Sequence, residues 1–95
     1  MNPLILHLKY EYWNMVCQGN KTHEYREYKP YWIKRIKEQK ELILVPGYAN
    51  CNSLDIHAKI KNISVIDYND LPEYAKDEFE NSEQHHFFDI EFEIK

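Results

Sequence analysis

Ninety-five residues, 43% of them hydrophobic and 15% aromatic, suffice for one domain around one core. Two glycines and four prolines exclude a low-complexity or disordered chain, and no apolar run approaches the roughly 20 residues of a membrane helix. The formal charge of −4 is unevenly spread: residues 21–40 carry net +4 and residues 65–95 net −8, which argues against a sequence-blind nucleic-acid coat and leaves a basic segment suited to an anionic ligand.

Leu4, Ile5, Leu6 and Leu8, led by Pro3, predict a first strand buried on both faces. Tyr10, Trp13, Val16 and Cys17 recur at helical spacing, so residues 9–18 predict a helix stopped by Gly19, with Cys17 a small buried hydrophobe. Residues 22–28 then read as a strand. Alternation places Thr22, Glu24, Arg26 and Tyr28 on one side, and His23, Tyr25 and Glu27 on the other. Lys21, just past the glycine turn, reaches back over the first set. Pro30 opens a second helix, with Trp32, Ile33 and Ile36 inward and Lys34, Arg35 and Lys37 outward.

Residues 42–45 predict a short buried strand stopped by Pro46-Gly47, and residues 48–53 a polar loop. Leu54, Ile56, Ala58 and Ile60 alternate inward against Asp55, His57, Lys59 and Lys61, and the pattern continues through Ile63 and Val65 after a bend or bulge near Asn62. Asp70, with Glu73 three residues on, predicts a capped third helix whose inner face is Tyr74, Ala75 and Phe79. Phe88, Ile90, Phe92 and Ile94 alternate with Asp89, Glu91 and Glu93 in a half-exposed last strand. The expected architecture is one α+β domain over residues 1–95, a small barrel of about five to six mixed strands flanked by two to three short helices.

One segment carries chemistry. Gly19-x-Lys21-x-x-Glu24-x-Arg26 sets a cation, a carboxylate and a second cation at fixed offsets behind a glycine turn. As a ligand site, Lys21 offers a point charge to a phosphate or carbonyl oxygen, Arg26 a planar fork, and Glu24 an acceptor for an amino group on a base edge. Tyr28, Tyr48 and Trp32 offer stacking surfaces. As a reaction site, Thr22 is the candidate nucleophile, Lys21 the base and Glu24 the carboxylate. The plainer reading is an internal Glu24–Arg26 ion pair that fixes the strand while Lys21 is solvated.

The spacing Gly-x-Lys-x-x-Glu-x-Arg, together with the order of flanking elements, resembles the ASCH domain, a branch of the PUA-like superfamily, over nearly the whole chain. The resemblance implies a PUA-like barrel with a cleft over residues 21–28 that takes RNA or a modified nucleotide. Some ASCH proteins similar to this chain are small amidohydrolases that deacylate N4-acetylcytidine, using a Lys, a Thr three positions after it and a distant Glu. Lys21 matches the first, Glu24 stands where the Thr would be, and Glu73 is the candidate for the third. Other ASCH members look like ribonucleases or RNA-binding modules. For a ribonuclease, His23, His57 and His85-His86 are the histidines available as acid or base.

No cofactor and no metal are expected. His85 and His86 are adjacent rather than a turn apart, the acidic stretch 67–83 lacks a calcium-loop pattern, and no glycine-rich phosphate loop exists. Cys17 and Cys51 are too few for a disulfide framework; reduced thiols and the lack of a secretory n-region place the chain in the cytoplasm, with no membrane partner. A third reading belongs to another class: the acidic residues 67–83, interleaved with aromatics, form a surface for docking a basic protein. Nothing in the sequence fixes an oligomeric state.

Overall fold

The structure, a computed structural model, describes residues 3–47 and 54–95. In chain order its elements are β1 (Leu4–Leu8), α1 (Tyr10–Cys17), β2 (His23–Glu27), α2 (Pro30–Ile36), β3 (Glu41–Pro46), β4 (Ile56–Asp67), a 3-10 turn (Tyr68–Asp70), α3 (Glu73–Glu78) and β5 (His86–Ile94). The strands form one sheet in the order β1-β3-β4-β5-β2, parallel between β1 and β3 and antiparallel elsewhere. It curls into a half-barrel, so this is a small α+β fold whose two sheet edges are β1 and β2.

Alternation explains how one sheet serves two cores. Leu4, Leu6 and Leu8 of β1, Leu42 and Leu44 of β3, Ala58 of β4, and Phe88, Ile90 and Phe92 of β5 turn to one face. Val16 of α1 and Ile36 of α2 close over them, both fully buried. On the other face Phe87 packs with Leu71 and with Ala75 of α3. Each such Leu, Ile or Phe withdrawn from water favours the fold by about 1.5–3 kcal/mol.

The glycine turn forms as expected and has a defined geometry. Gly19 has φ +77°, its N–H donates to the Val16 carbonyl (3.0 Å), and the Asn20 N–H donates to the Met15 carbonyl (2.9 Å). That is the reciprocal bonding of a Schellman cap, which needs a left-handed residue at this position. α2 likewise starts at Pro30, whose missing N–H costs nothing in a first turn. The ladder between β4 and β5 shifts register between Ile60 and Asn62, which is the predicted bulge.

Several expectations are corrected. β1 is an edge strand buried on one face only; Ile5 is 53% exposed because no layer covers its outer side. Leu54 is exposed, since the inward alternation begins at Ile56, where β4 starts. Cys17 closes α1 on the solvent side and is exposed. The third helix is entered through Pro72, not capped by Asp70; Asp70 lies in the preceding 3-10 turn, and among the described residues no side chain caps α3. β5 is an interior strand between β4 and β2, which is why both Phe87 and Phe88 are buried. Among the described residues, no helix is long and apolar enough to cross a membrane.

Candidate functional site

The Schellman turn delivers Lys21 to the head of β2, and the alternation of β2 turns Glu24 and Arg26 towards the gap between the two sheet edges. The three charged heads converge there. Lys21 Nζ lies 3.1 Å from Glu24 Oε1, and Arg26 donates to Glu24 Oε2 through Nη2 (2.5 Å) and Nε (3.2 Å). Lys21 and Glu24 are only 4% and 6% exposed. Pairs so withdrawn from water survive only with nearly all their donors and acceptors matched.

The matching is tight. Lys21 Nζ also donates to the His23 carbonyl (2.5 Å) and the Tyr74 hydroxyl (3.0 Å). Three rings surround the ammonium: Tyr74 of α3 at 5.0 Å, Tyr25 of β2 at 5.4 Å and Tyr12 of α1 at 5.9 Å from ring centre. All lie within the range over which a ring quadrupole attracts a cation. Burial, with the Glu24 charge next in importance, pushes the Tyr74 hydroxyl up to about 12, so it stays protonated and accepts from Lys21 through a lone pair. Burial likewise raises Tyr25, with Asp89 contributing, and Tyr12, with Glu78 contributing.

Arg26 spans the half-barrel. Its Nη2 donates to the His7 carbonyl of β1 at 2.9 Å, linking the two sheet edges, and its guanidinium sits 5.0 Å from the centre of the Trp32 ring of α2. Beside this bridge a pocket of about 120 Å³ opens in the seam between β1 and β2. Glu24 and Arg26 line it together with Lys9, Tyr12, Gly47 and Glu78. Glu78 is an exposed residue at the pocket mouth; partial desolvation of its carboxylate, reinforced by the nearby Glu24 charge, raises its proton affinity, and Arg26, Lys9 and Lys21 oppose the shift.

The other expected site residues are placed differently. Lys21 stands behind Glu24, and its ammonium is not on the wall of the seam pocket. Thr22 is exposed and lines, with Lys21, a separate hollow of about 300 Å³ beside Glu91 and Glu93. Tyr28 follows β2, is 40% exposed and packs on Phe88 (5.1 Å between ring centres), away from the pocket. Glu73 is exposed at the start of α3, near Lys76 at 3.9 Å; the helix carboxylate at the pocket is Glu78. Tyr48 and Cys51 lie outside the described residues. His23 is on the opposite face, its Nδ1 2.6 Å from Asp89 Oδ1. Among the described residues no group of three or more His, Cys, Asp or Glu is arranged to hold a metal.

Tyr12, Tyr74, Lys9 and Glu78 are site residues outside the motif, and Tyr25 stands at a motif position that the spacing leaves unspecified. Tyr12 and Tyr74 are 62 positions apart and come together only in the tertiary structure, one from α1 and one from α3, their rings 5.4 Å apart. Compared with known proteins, the chain matches no family model, no curated protein and no solved structure.

Proposed function

We propose that this chain is an ASCH-like protein of PUA-like type that binds RNA, or a nucleotide derived from it, by taking one base edge into the seam pocket. The observation that carries the reading is the mixed polarity of that pocket. Glu24 and Glu78 face the same small space as Arg26 and Lys9. A bare phosphate entering it meets two carboxylates, and a simple amine meets two cations. A heterocycle with donors and acceptors along one edge satisfies both sets. The volume of about 120 Å³ is below the roughly 300–1,000 Å³ of drug-sized ligand sites, so the pocket suits a base edge rather than a whole nucleotide. In this reading Arg26 and Lys9 donate to carbonyl or ring acceptors, Glu24 and Glu78 accept from an exocyclic amine, and Lys21 orients Glu24.

One observation favours a second reading, hydrolysis of an N4-acylated cytidine-type nucleoside. Glu78 holds a proton more tightly than an ordinary carboxyl and sits at the pocket beside Glu24 and Arg26. That is the property wanted in a general acid or base. In it Glu78, rather than Thr22, serves the chemistry, and water is the nucleophile.

Calorimetric titration with cytidine 5′-monophosphate and with N4-acetylcytidine separates these outcomes. Binding should weaken about tenfold in Lys9→Ala and in Glu78→Gln, the loss of one hydrogen bond to a charged group. Undiminished affinity in both variants overturns the pocket assignment. Release of acetate by the wild type and not by Glu78→Gln selects the hydrolase.

A further inference from the structure

A broad, open concavity of about 950 Å³ lies at the other end of β3 from the seam pocket. One wall is the turn from α2 into β3, which carries Lys37 and Lys40; the other is β4, which carries Lys59 and Lys61. The Ile60 N–H donates to the Lys40 carbonyl at 2.9 Å and ties the walls together. Two local backbone features shape the groove. Glu38 is left-handed, φ +58°, which turns the chain sharply between Lys37 and Lys40. Lys61 is the residue left off the ladder at the β4 bulge, between the Ile60–Phe92 and Asn62–Glu91 pairs.

The four lysines form no ion pair among the described residues, whereas Glu38 is the only acid on the groove wall. Glu41 and Glu93 stand opposite Lys59 on the neighbouring strands, but Glu41 is held by Lys95. Lys61 also lines the neighbouring hollow with Glu91 and Glu93, so acids stand close to the β4 wall; the groove lining itself, four lysines and Glu38, is still net positive in a chain of net charge −4.

We infer that this groove is a phosphate track for a single RNA strand. The cations decide between anions: all four are lysines, point charges that suit phosphates approached from many directions, while carboxylate recognition favours the arginine fork. Among the described residues no aromatic ring lines the groove, which suits contact with the backbone rather than with the bases. Its concave shape admits one strand and offers no helix or ribbon to enter a duplex groove. The inference rests on the reading that a base enters the seam pocket. β3 separates the two sites by roughly 20 Å at about 3.3 Å per residue, so only a strand of several nucleotides reaches both.

The test compares cytidine 5′-monophosphate with an oligocytidylate of about ten nucleotides, by fluorescence anisotropy over a range of salt. Lys37→Gln/Lys40→Gln and Lys59→Gln/Lys61→Gln are made separately, one pair per wall, so that failure of either to fold leaves the other. Each double variant should lower the salt slope for the oligomer by about 1.4, at roughly 0.7 per phosphate contact on a single strand, and leave monophosphate affinity unchanged. An unchanged slope in the folded variants overturns the inference. So does a wild type that binds monophosphate but gains nothing from the longer strand, or polyglutamate displacing the oligomer at equal charge. If the wild type binds neither ligand, the pocket reading falls as well.

Discussion

Glu24 accepts from two cations while only 6% exposed, and each of its oxygens has a distinct duty: Oε1 meets Lys21 and Oε2 meets Arg26. Such a carboxylate cannot be removed alone without leaving Lys21 charged and buried. Glu24→Leu should therefore cost about 3–5 kcal/mol in a denaturant titration, the usual penalty for orphaning a buried charge. Lys21→Met/Glu24→Leu, which removes both charges, should recover much of that loss. A double variant no more stable than Glu24→Leu would mean that Lys21 is not held by this carboxylate. The motif thus disclosed which charges converge, because period-two alternation is local. It did not disclose that Lys21 is sealed, because the rings around it come from three different elements.

Glu78 supplies a pH dependence whose sign follows from its raised proton affinity. The folded chain holds this proton more tightly than the unfolded chain. A penalty therefore appears as pH rises from the ordinary carboxylate value through the raised folded value, and is absent below the ordinary value. Glu78→Gln should melt higher than the wild type at about pH 7 and equally at about pH 4; the gain is small because the side chain is partly solvated. Thermal melts at the two pH values check it. An equal difference at both would assign the effect to packing instead of charge. In the sequence Glu78 is one acid among ten in residues 65–95, so nothing local distinguishes it.

At the scale of elements, the turn after α1 is set by one left-handed residue. Gly19 adopts φ +77°, and an added Cβ would meet no atom within 4 Å, so the only obstacle to a side chain is the backbone conformation itself. Gly19→Ala should cost about 1–2 kcal/mol, and Gly19→Asn less, since Asn tolerates the left-handed region better. Chemical denaturation of the two variants checks this order; equal costs would mean that the left-handed turn is not what the glycine supports. The β4 bulge was likewise legible, because polar Asn62 interrupts a period-two apolar pattern. β1 was misread for the opposite reason. A continuous apolar run looks the same whether its second face is covered or, as at Ile5, open to water. The entry to α3 was also missed: Asp70 has the chemistry of a cap, but Pro72 stands between it and the helix.

Across the whole molecule, the half-barrel leaves β1 and β2 as unjoined edges, and the Arg26 side chain crosses from one to the other through the His7 carbonyl. The seam pocket exists because the sheet does not close there. The end of β1, the start of α1, the end of α3 and Gly47 past β3 frame it. The lysine groove lies where β3 begins. One strand thus has a mixed-charge pocket at its far end and a positive groove at its near end, so the two sites differ in chemistry as well as position.

The sequence by itself determined the order of helices and strands, the glycine turn, the bulge and the meeting of Lys21, Glu24 and Arg26. Each of these depends on residues within a few positions of one another, where backbone geometry is nearly fixed. Only the tertiary structure decided that the tyrosines enclose Lys21, that Glu78 and not Glu73 reaches the pocket, and that lysines on two walls face one groove. Those outcomes depend on which elements pack together across dozens of residues, and side-chain pattern along the chain carries no record of that.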